Sequence, residues 1–533
     1  MSETRILLKH AKIYDGTGAD AFVGDVLLEA DRIVRVEPSI EAQADDRVID
    51  LQGLSLAPGF IDAHSHNDWY AARKQPLPYF APFIRQGITT FVSGNCGLSA
   101  VGFDDDTAHK AHMGGGLFSF AEDVTGQVGA FLKKIDGNMP CNLAVLAGHC
   151  TARASVSGNV NRPLTAEEEK AMLEILEKAL QQGAAGISLG LMYEPGLYAQ
   201  TEELKKVAAL CEKYDRPLTV HPRANSAVSM SYPQLLGRSH LLRAVDELVQ
   251  IVKGTKTKLH YSHAIFVGRR SFKNKAEFVS IMEELRSQGV DAMFDIYNET
   301  LGVSVITVIL PAWYQAMSEK ERGKFFNRLK LRVLVYASSL LLGFGFKDIQ
   351  VAYIGPGYEH YEGKTVHQIA KEEKMSDLDA YLMLCKKSNF KGRVNMGPYT
   401  TPEIISEFEK HPNCLYMTDA WVEDHGIQNP AIYDCFPKFL RDSLLGTGDT
   451  LPNTIHKMTG ATAQRFALKD RGLLQPGCFA DLTVFSEEEL RSARPDQEKS
   501  FGIHSVWING KEVLRDGKLD EDALRTSGRS IGV

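Results

Sequence analysis

Apolar and polar positions fall into two regimes along the chain. From residue 58 to about residue 420, short apolar runs of strand length alternate with segments of helical period, which is the signature of βα units around a parallel sheet. Eight runs read as strands: Gly59–Ala63, Thr89–Ser93, Asn142–Ala147, Ala185–Leu189, Leu218–His221, Lys258–His263, Val290–Tyr297 and Cys414–Asp419. Helical period is clearest over Thr165–Gln181, where Thr165 precedes a Glu-rich first turn as an N-cap, and over Glu202–Tyr214. Eight is the closure number of a (β/α)8 TIM barrel, which places its chemistry at the carboxyl ends of the strands. At both ends of the chain the pattern changes to short β-rich pieces set off by turns, such as Val26–Leu28, Ile33–Val36 and Asp481–Phe485, with a tight turn at Asn509-Gly510. The expectation is an α/β protein in which a barrel domain, residues 58–464, is inserted into one small β-sandwich built from residues 1–57 and 465–533. The interval 298–355 is too long for a βα loop and reads as an inserted subdomain or lid.

Several strand ends carry metal-ligand chemistry. Pro58 to His66 reads Pro-Gly-Phe-Ile-Asp-Ala-His-Ser-His, and side chains alternate along a strand, so His64 and His66 face the same way. Two neutral imidazoles at the mouth of a barrel can hold a divalent cation, whose chemistry is the activation of water. Cys96, His221, His263 and Asp419 each fall at or just past the end of a later strand, which is how a barrel gathers ligands remote in sequence. A lone cysteine is more often a small buried hydrophobe. Cys96, however, lies in Gly94-Asn-Cys-Gly97, where the glycines allow a sharp turn that exposes the thiol. A carboxylate placed like Asp419 can take a proton from water, although an Asp there could equally cap the next helix. His149, alone at the end of strand three, is assigned a supporting role behind the ligands.

Composition narrows the function further. The 533 residues are 44% hydrophobic and 24% charged with a net charge of -7, which offers no field suited to nucleic acid. The longest apolar stretches, such as 303–313, are too short to cross a bilayer, and the first residues lack the apolar core of a secretory signal. Eight singly scattered cysteines give no disulfide framework. A cytoplasmic enzyme is expected, with a small molecule as its partner, no nucleic acid or membrane, and homo-oligomers left open.

Taken together these motifs resemble the amidohydrolase superfamily, and within it the D-aminoacylase branch of N-acyl-D-amino-acid deacylases. The resemblance rests on the strand-one motif, on Gly94-Asn-Cys-Gly, on Gly190-Leu-Met-Tyr-Glu-Pro-Gly-Leu-Tyr-Ala and on Arg471-Gly-Leu-Leu-Gln-Pro-Gly-Cys-Phe-Ala-Asp-Leu. It implies Zn2+ held tightly by Cys96, His221 and His263, an adjoining weaker site at His64 and His66, and Asp419 as the acid/base in the hydrolysis of a C–N amide bond. Tyr193, Arg223, Ile265 and Tyr297 occupy positions where the branch contacts its substrate. Many relatives bridge two metals with a carboxylated lysine on strand four. This chain has Ser188-Leu-Gly there, which leaves Cys96 as the bridge and Glu194 as the weaker choice. The rival readings are a cyclic amide or imide hydrolase, which needs the same machinery, and a non-catalytic metal-binding scaffold, which the complete set of ligands and acid disfavours.

Two departures bear on the substrate. Strand eight ends Thr418-Asp419-Ala420-Trp421 where the branch has Ser-Asp-Gly, and Ile265 stands where the branch carries a lysine for the substrate α-carboxylate. A buried carboxylate costs several kcal/mol unless it is paired, so an isoleucine there does not welcome the anion. The expected outcome is weak turnover of simple N-acetyl-D-amino acids and better turnover of amides whose corresponding part is apolar, esterified, amidated or ring-closed, unless Arg223 or a lid residue takes over the anion. Comparing kcat/KM on N-acyl-D-amino acids with that on their carboxamides checks this, and a clear preference for the free acids would refute it.

Overall fold

The computed structural model describes residues 5–533 apart from 122, 230, 233–236, 316 and 493–501. Its centre is a ring of eight parallel strands: β1 Phe60–Ser65, β2 Ile88–Ser93, β3 Asn142–Val145, β4 Ile187–Gly190, β5 Pro217–His221, β6 Lys258–Tyr261, β7 Ala292–Ile296 and β8 Cys414–Tyr416. Their near-continuous apolar runs are buried on both faces, as strands covered by helices must be. The expected strands are therefore present, with ends shifted by a few residues. At Leu146 the chain changes neighbours: the Leu146 N–H still donates to Ser93 of β2, whereas Ala147 N–H donates to Gly186 beside β4.

The ring closes between β8 and β1 through a side chain as well as the backbone. Asp62 on β1 accepts bonds from the Thr418 N–H (3.0 Å) and hydroxyl (2.6 Å), and Asp419 N–H donates to the His64 carbonyl at 3.1 Å. Burial pushes the Asp62 carboxyl up to about 7 in spite of those bonds. The outer helices follow the sequence pattern. Ala166–Gln181 opens with a Thr165/Glu168 capping box and buries Met172, Leu176, Ala179 and Leu180, a stripe of helical spacing.

Strands from both chain ends share one nine-stranded sheet, joined by antiparallel pairing of Ser55–Pro58 with Leu482–Phe485. Ile33, Val26 and Trp507 come from strands far apart in its order yet share one apolar cluster, so the sheet folds across itself. Ser530–Ile531 leave this sheet and pair with β3 of the barrel.

The insertion after β7 is larger than residues 298–355. It is built on a three-stranded antiparallel sheet whose central strand is Arg393–Met396, flanked by Gly302–Val305 and Ile349–Tyr353. The sheet needs that middle strand, so the segment extends past residue 390 and includes the helices Phe325–Leu342, Val366–Glu372 and Asp377–Lys387. Among the described residues no helix is long and apolar enough to cross a membrane.

A buried polar network joins the β domain to the barrel. Asp481 pairs with Arg471 and accepts from Asn142 Nδ2 (3.0 Å) and the Asn509 N–H (2.8 Å), while Asn509 Nδ2 donates to Asn142 Oδ1 at 2.7 Å. Removing one member of a buried charge pair leaves the other uncompensated. Arg471→Ala is expected to destabilise the protein by about 3–5 kcal/mol, read as a lower urea midpoint, and an unchanged midpoint would show that the network carries no such load.

Candidate metal and catalytic centre

The carboxyl ends of β1, β2, β5, β6 and β8 converge on one thiol. Cys96 Sγ lies 3.4 Å from His64 Nε2, 3.5 Å from His221 Nδ1 and 3.6 Å from His263 Nε2, all buried. Asp419 Oδ1 lies 3.5 Å from His64 Nε2 and 3.6 Å from His66 Nε2. His64, Cys96 and His263 form one group able to hold a cation, and His64, His66 and Asp419 form a second that shares His64. Burial alone would raise the Cys96 thiol, but the imidazoles of His64 and His221 outweigh it and hold the thiol well below its ordinary range. Burial likewise opposes a charged His66, yet Asp419 and Cys96 carry it up to about 9. An anionic sulfur facing three imidazole nitrogens, with a carboxylate beside them, is a donor set suited to zinc.

The chain adopts costly backbone to present these groups. Cys96 (φ 54°), His263 (φ 39°) and Asp419 (φ 46°) all sit in the left-handed region, which non-glycine residues seldom occupy. The turn around Cys96 is packed tightly enough to require its glycines: a Cβ at Gly94 would lie 2.5 Å from the Leu146 carbonyl oxygen, and one at Gly97 the same distance from Gly190 N. Ser188, where many relatives place lysine, braces that turn. Its hydroxyl donates to the Gly94 carbonyl (2.5 Å) and accepts from the Gly97 N–H (3.0 Å). Asp68 adds a second brace, accepting from Ser93 Oγ at 2.8 Å and from the Ala100 N–H at 2.7 Å.

Asp295 on β7 is the main residue that the motif reading missed. Its carboxylate accepts from His260 Nε2 at 2.9 Å and from the His263 N–H, and it lies 3.3 Å from His64 Nδ1. Burial would raise its pKa, but His64 and His260 hold it well below the usual carboxylate range. It therefore fixes the orientation of two candidate ligands from behind. The signal for it was an acid inside the apolar run Phe294-Asp-Ile, matched by Asp62 inside Phe60-Ile-Asp-Ala.

Around the donors the walls are aromatic. Phe118 stacks on His66 with centroids 5.0 Å apart, Trp421 meets the same ring edge-on at 5.4 Å, and Tyr193 lies 4.6 Å from His221 with its hydroxyl 3.4 Å from Nδ1. Tyr297 and Tyr399 approach each other at Gly302, where a Cβ would meet the Tyr399 ring at 2.6 Å and the Tyr297 hydroxyl at 3.3 Å. Burial, reinforced by nearby negative charge, holds the Tyr193 and Tyr297 hydroxyls well above their ordinary pKa. Ile265 is buried two residues past His263, and the next N–H, that of Phe266, donates to the Tyr399 carbonyl at 2.6 Å.

Three expected residues are occupied elsewhere. Arg223 is not free to meet a substrate: its guanidinium binds Glu247 through two nitrogens, at 2.9 and 2.8 Å, and donates to the Leu197 and Ala199 carbonyls, which uses four of its five N–H groups. Glu194 is exposed and bonded to Tyr198, so it offers no bridge between ligands. His149 pairs with Glu203 at 2.8 Å, and Arg153 holds the same carboxylate at 3.0 Å in a buried cluster of their own.

Comparison with known proteins gives a consistent picture. A family model described as the amidohydrolase family matches residues 47–301. The chain is 27% identical over 519 residues to a D-aminoacylase of Alcaligenes xylosoxydans xylosoxydans, covering 96% of this chain and 94% of that one. It is also 27% identical to an N-acyl-D-aspartate deacylase of the same organism, covering 96% and 92%. A solved D-aminoacylase with a binuclear metal centre superposes with a TM-score of 0.77 at 25% identity over 99% of both chains. An N-acyl-D-glutamate deacylase from Bordetella bronchiseptica, solved with zinc and a phosphonate inhibitor, shares the fold at 23% identity and a TM-score of 0.76 over the whole of both chains. The family match spans the strands that carry His64, His66, Cys96, His221 and His263, the full-length likenesses extend through Asp419, and residues 47–301 are thus similar to the amidohydrolase family.

Proposed function

We propose that this protein hydrolyses the amide bond of an N-acyl amino acid or a related N-acyl amide. The observation that carries the reading is the convergence of Cys96 with His64, His221 and His263 at one barrel mouth, with Asp419 facing the same space. Cys96, His221 and His263 would hold one zinc ion tightly, and His64 and His66 would form an adjoining weaker site. The solved D-aminoacylase of similar fold, described by one-metal activation and second-metal attenuation, supports that division. Zinc bound there would act as a Lewis acid and lower the pKa of water toward about 7.

The remaining work belongs to the chain's own groups. Asp419 takes the proton of the attacking water and returns it to the leaving nitrogen, so that the amine departs neutral. Asp295 holds His64 and the β6 turn in place. Asp62 fixes the backbone of Thr418 and so the position of Asp419. Tyr193 and Tyr297 stay protonated and serve as donors to the substrate's polar atoms. With Ile265 apolar and Arg223 engaged by Glu247, the pocket favours a substrate whose α-carboxylate is absent, masked or ring-closed.

Turnover of N-acyl amino acids and their carboxamides by zinc-loaded protein, with release of free amine, tests the reading directly, and zinc-loaded protein that releases no amine from any such amide would refute it. Cys96→Ala is expected to lose tightly bound zinc along with activity, because only neutral imidazoles then remain at the strong site. Metal analysis of the purified variant checks this, and full zinc with near-normal turnover would overturn the ligand assignment. Asp419→Asn is expected to keep fold and most of the metal while lowering kcat by roughly 10²-fold or more, and a variant that turns over like the parent would remove Asp419 from proton transfer.

A further inference from the structure

The insertion presents a helix whose apolar face is largely uncovered among the described residues, with the Tyr336 ring meeting Phe346 edge-on at its margin. Phe325–Leu342 buries only Leu331 and Val335, whereas Phe326 is 79% exposed, Val333 63% and Leu340 68%. Phe326, Leu329, Val333, Tyr336 and Leu340 follow one another at intervals of three, four, three and four, the seam spacing of a helix that packs along another helix. With Phe325 they expose on the order of 700 Å² of apolar surface, above what a monomer ordinarily shows and close to the roughly 800 Å² that one partner contributes to a stable interface.

We propose that this face docks against the same face of a second copy of the chain, the two helices running antiparallel about a two-fold axis near Val333. An isologous contact doubles the buried area to on the order of 1,400 Å², within the range of specific dimers. Charge selects the antiparallel sense. All the basic residues of this stretch, Lys324, Arg328, Lys330 and Arg332, lie in its first half, residues 333–342 carry none, and the helix has no acid. Parallel pairing would set cations against cations. Antiparallel pairing lays each basic half along the partner's uncharged half and its carbonyl-rich C-terminus, where the helix dipole favours positive charge. The same disposition argues against a lipid surface as occupant. Arg328 and Arg332 lie beside Asp379 of their own chain at the margin of the stripe, and Lys330 Nζ lies 4.5 Å over the Trp313 ring, so the cations flank the stripe while the stripe itself is apolar.

Sedimentation equilibrium of the full-length, zinc-loaded protein at micromolar concentration tests the proposal. The expected mass is twice 59.0 kDa for the parent and 59.0 kDa for the double variant Val333→Glu/Leu340→Glu, whose circular dichroism should be unchanged because both positions are exposed. All eight native cysteines are buried, so Val333→Cys adds the one accessible thiol beside the axis, and mild oxidation with diamide should give a covalent dimer. A monomeric parent would overturn the proposal, as would a double variant that remains dimeric. A monomeric parent that floats with phosphatidylserine vesicles, and loses that property in the double variant, would overturn it in favour of a membrane-facing helix.

Discussion

A buried thiol ringed by imidazoles is the interaction on which the rest of this molecule depends. Charge in a water-excluded site is costly unless opposite charge and hydrogen bonds compensate it. Cys96 meets that demand with His64, His221 and His263, and the imidazoles meet theirs with Cys96, Asp295 and Asp419. The cluster is thus balanced within itself, and each member is held where a cation can replace its proton. Three of its members occupy left-handed backbone that only a well-determined surrounding can maintain.

That surrounding is a layer of buried carboxylates and hydroxyls with no direct part in the chemistry. Asp62 stitches β1 to β8 and so sets the distance between the two histidines and Asp419. Asp68 and Ser188 grip opposite sides of the Cys96 turn, and Asp295 reaches both β1 and β6. Each spans strands that are remote in sequence, so the barrel's closure and the site's geometry are the same physical fact. The serine on β4 illustrates the point: where many relatives place a lysine able to bridge metals, a small hydroxyl instead secures the turn that carries the thiol.

The pocket above the donors is defined by rings. Phe118, Trp421, Tyr193, Tyr297 and Tyr399 enclose it, and the nearby arginines are engaged by carboxylates: Arg223 by Glu247 and Arg393 by Glu423. Each of these guanidinium groups also donates to backbone carbonyls, Arg223 to Leu197 and Ala199 and Arg393 to His425 and Ile427, so its charge is compensated before any substrate arrives. The side chains facing the donors are therefore aromatic rings and phenolic hydroxyls.

Local order was written in the sequence. The period of two that aligns His64 with His66, the eight apolar runs, the Thr165 cap and the glycines around Cys96 are properties of neighbouring residues, and a single chain displays them without its fold. Strand positions, the closed barrel and the convergence of His221, His263, Cys96 and Asp419 followed from that order, because strand ends in a closed barrel must meet at one mouth. Pairings between remote groups were decided only in three dimensions. Nothing in the spacing shows that Asp295 lies behind His64, that Glu247 takes up Arg223, or that residues 393–396 supply the middle strand of the insertion. The face of Phe325–Leu342 was likewise decided only in three dimensions: Leu331 and Val335 fill the contact with the body of the chain, which leaves Phe326, Val333 and Leu340 outward.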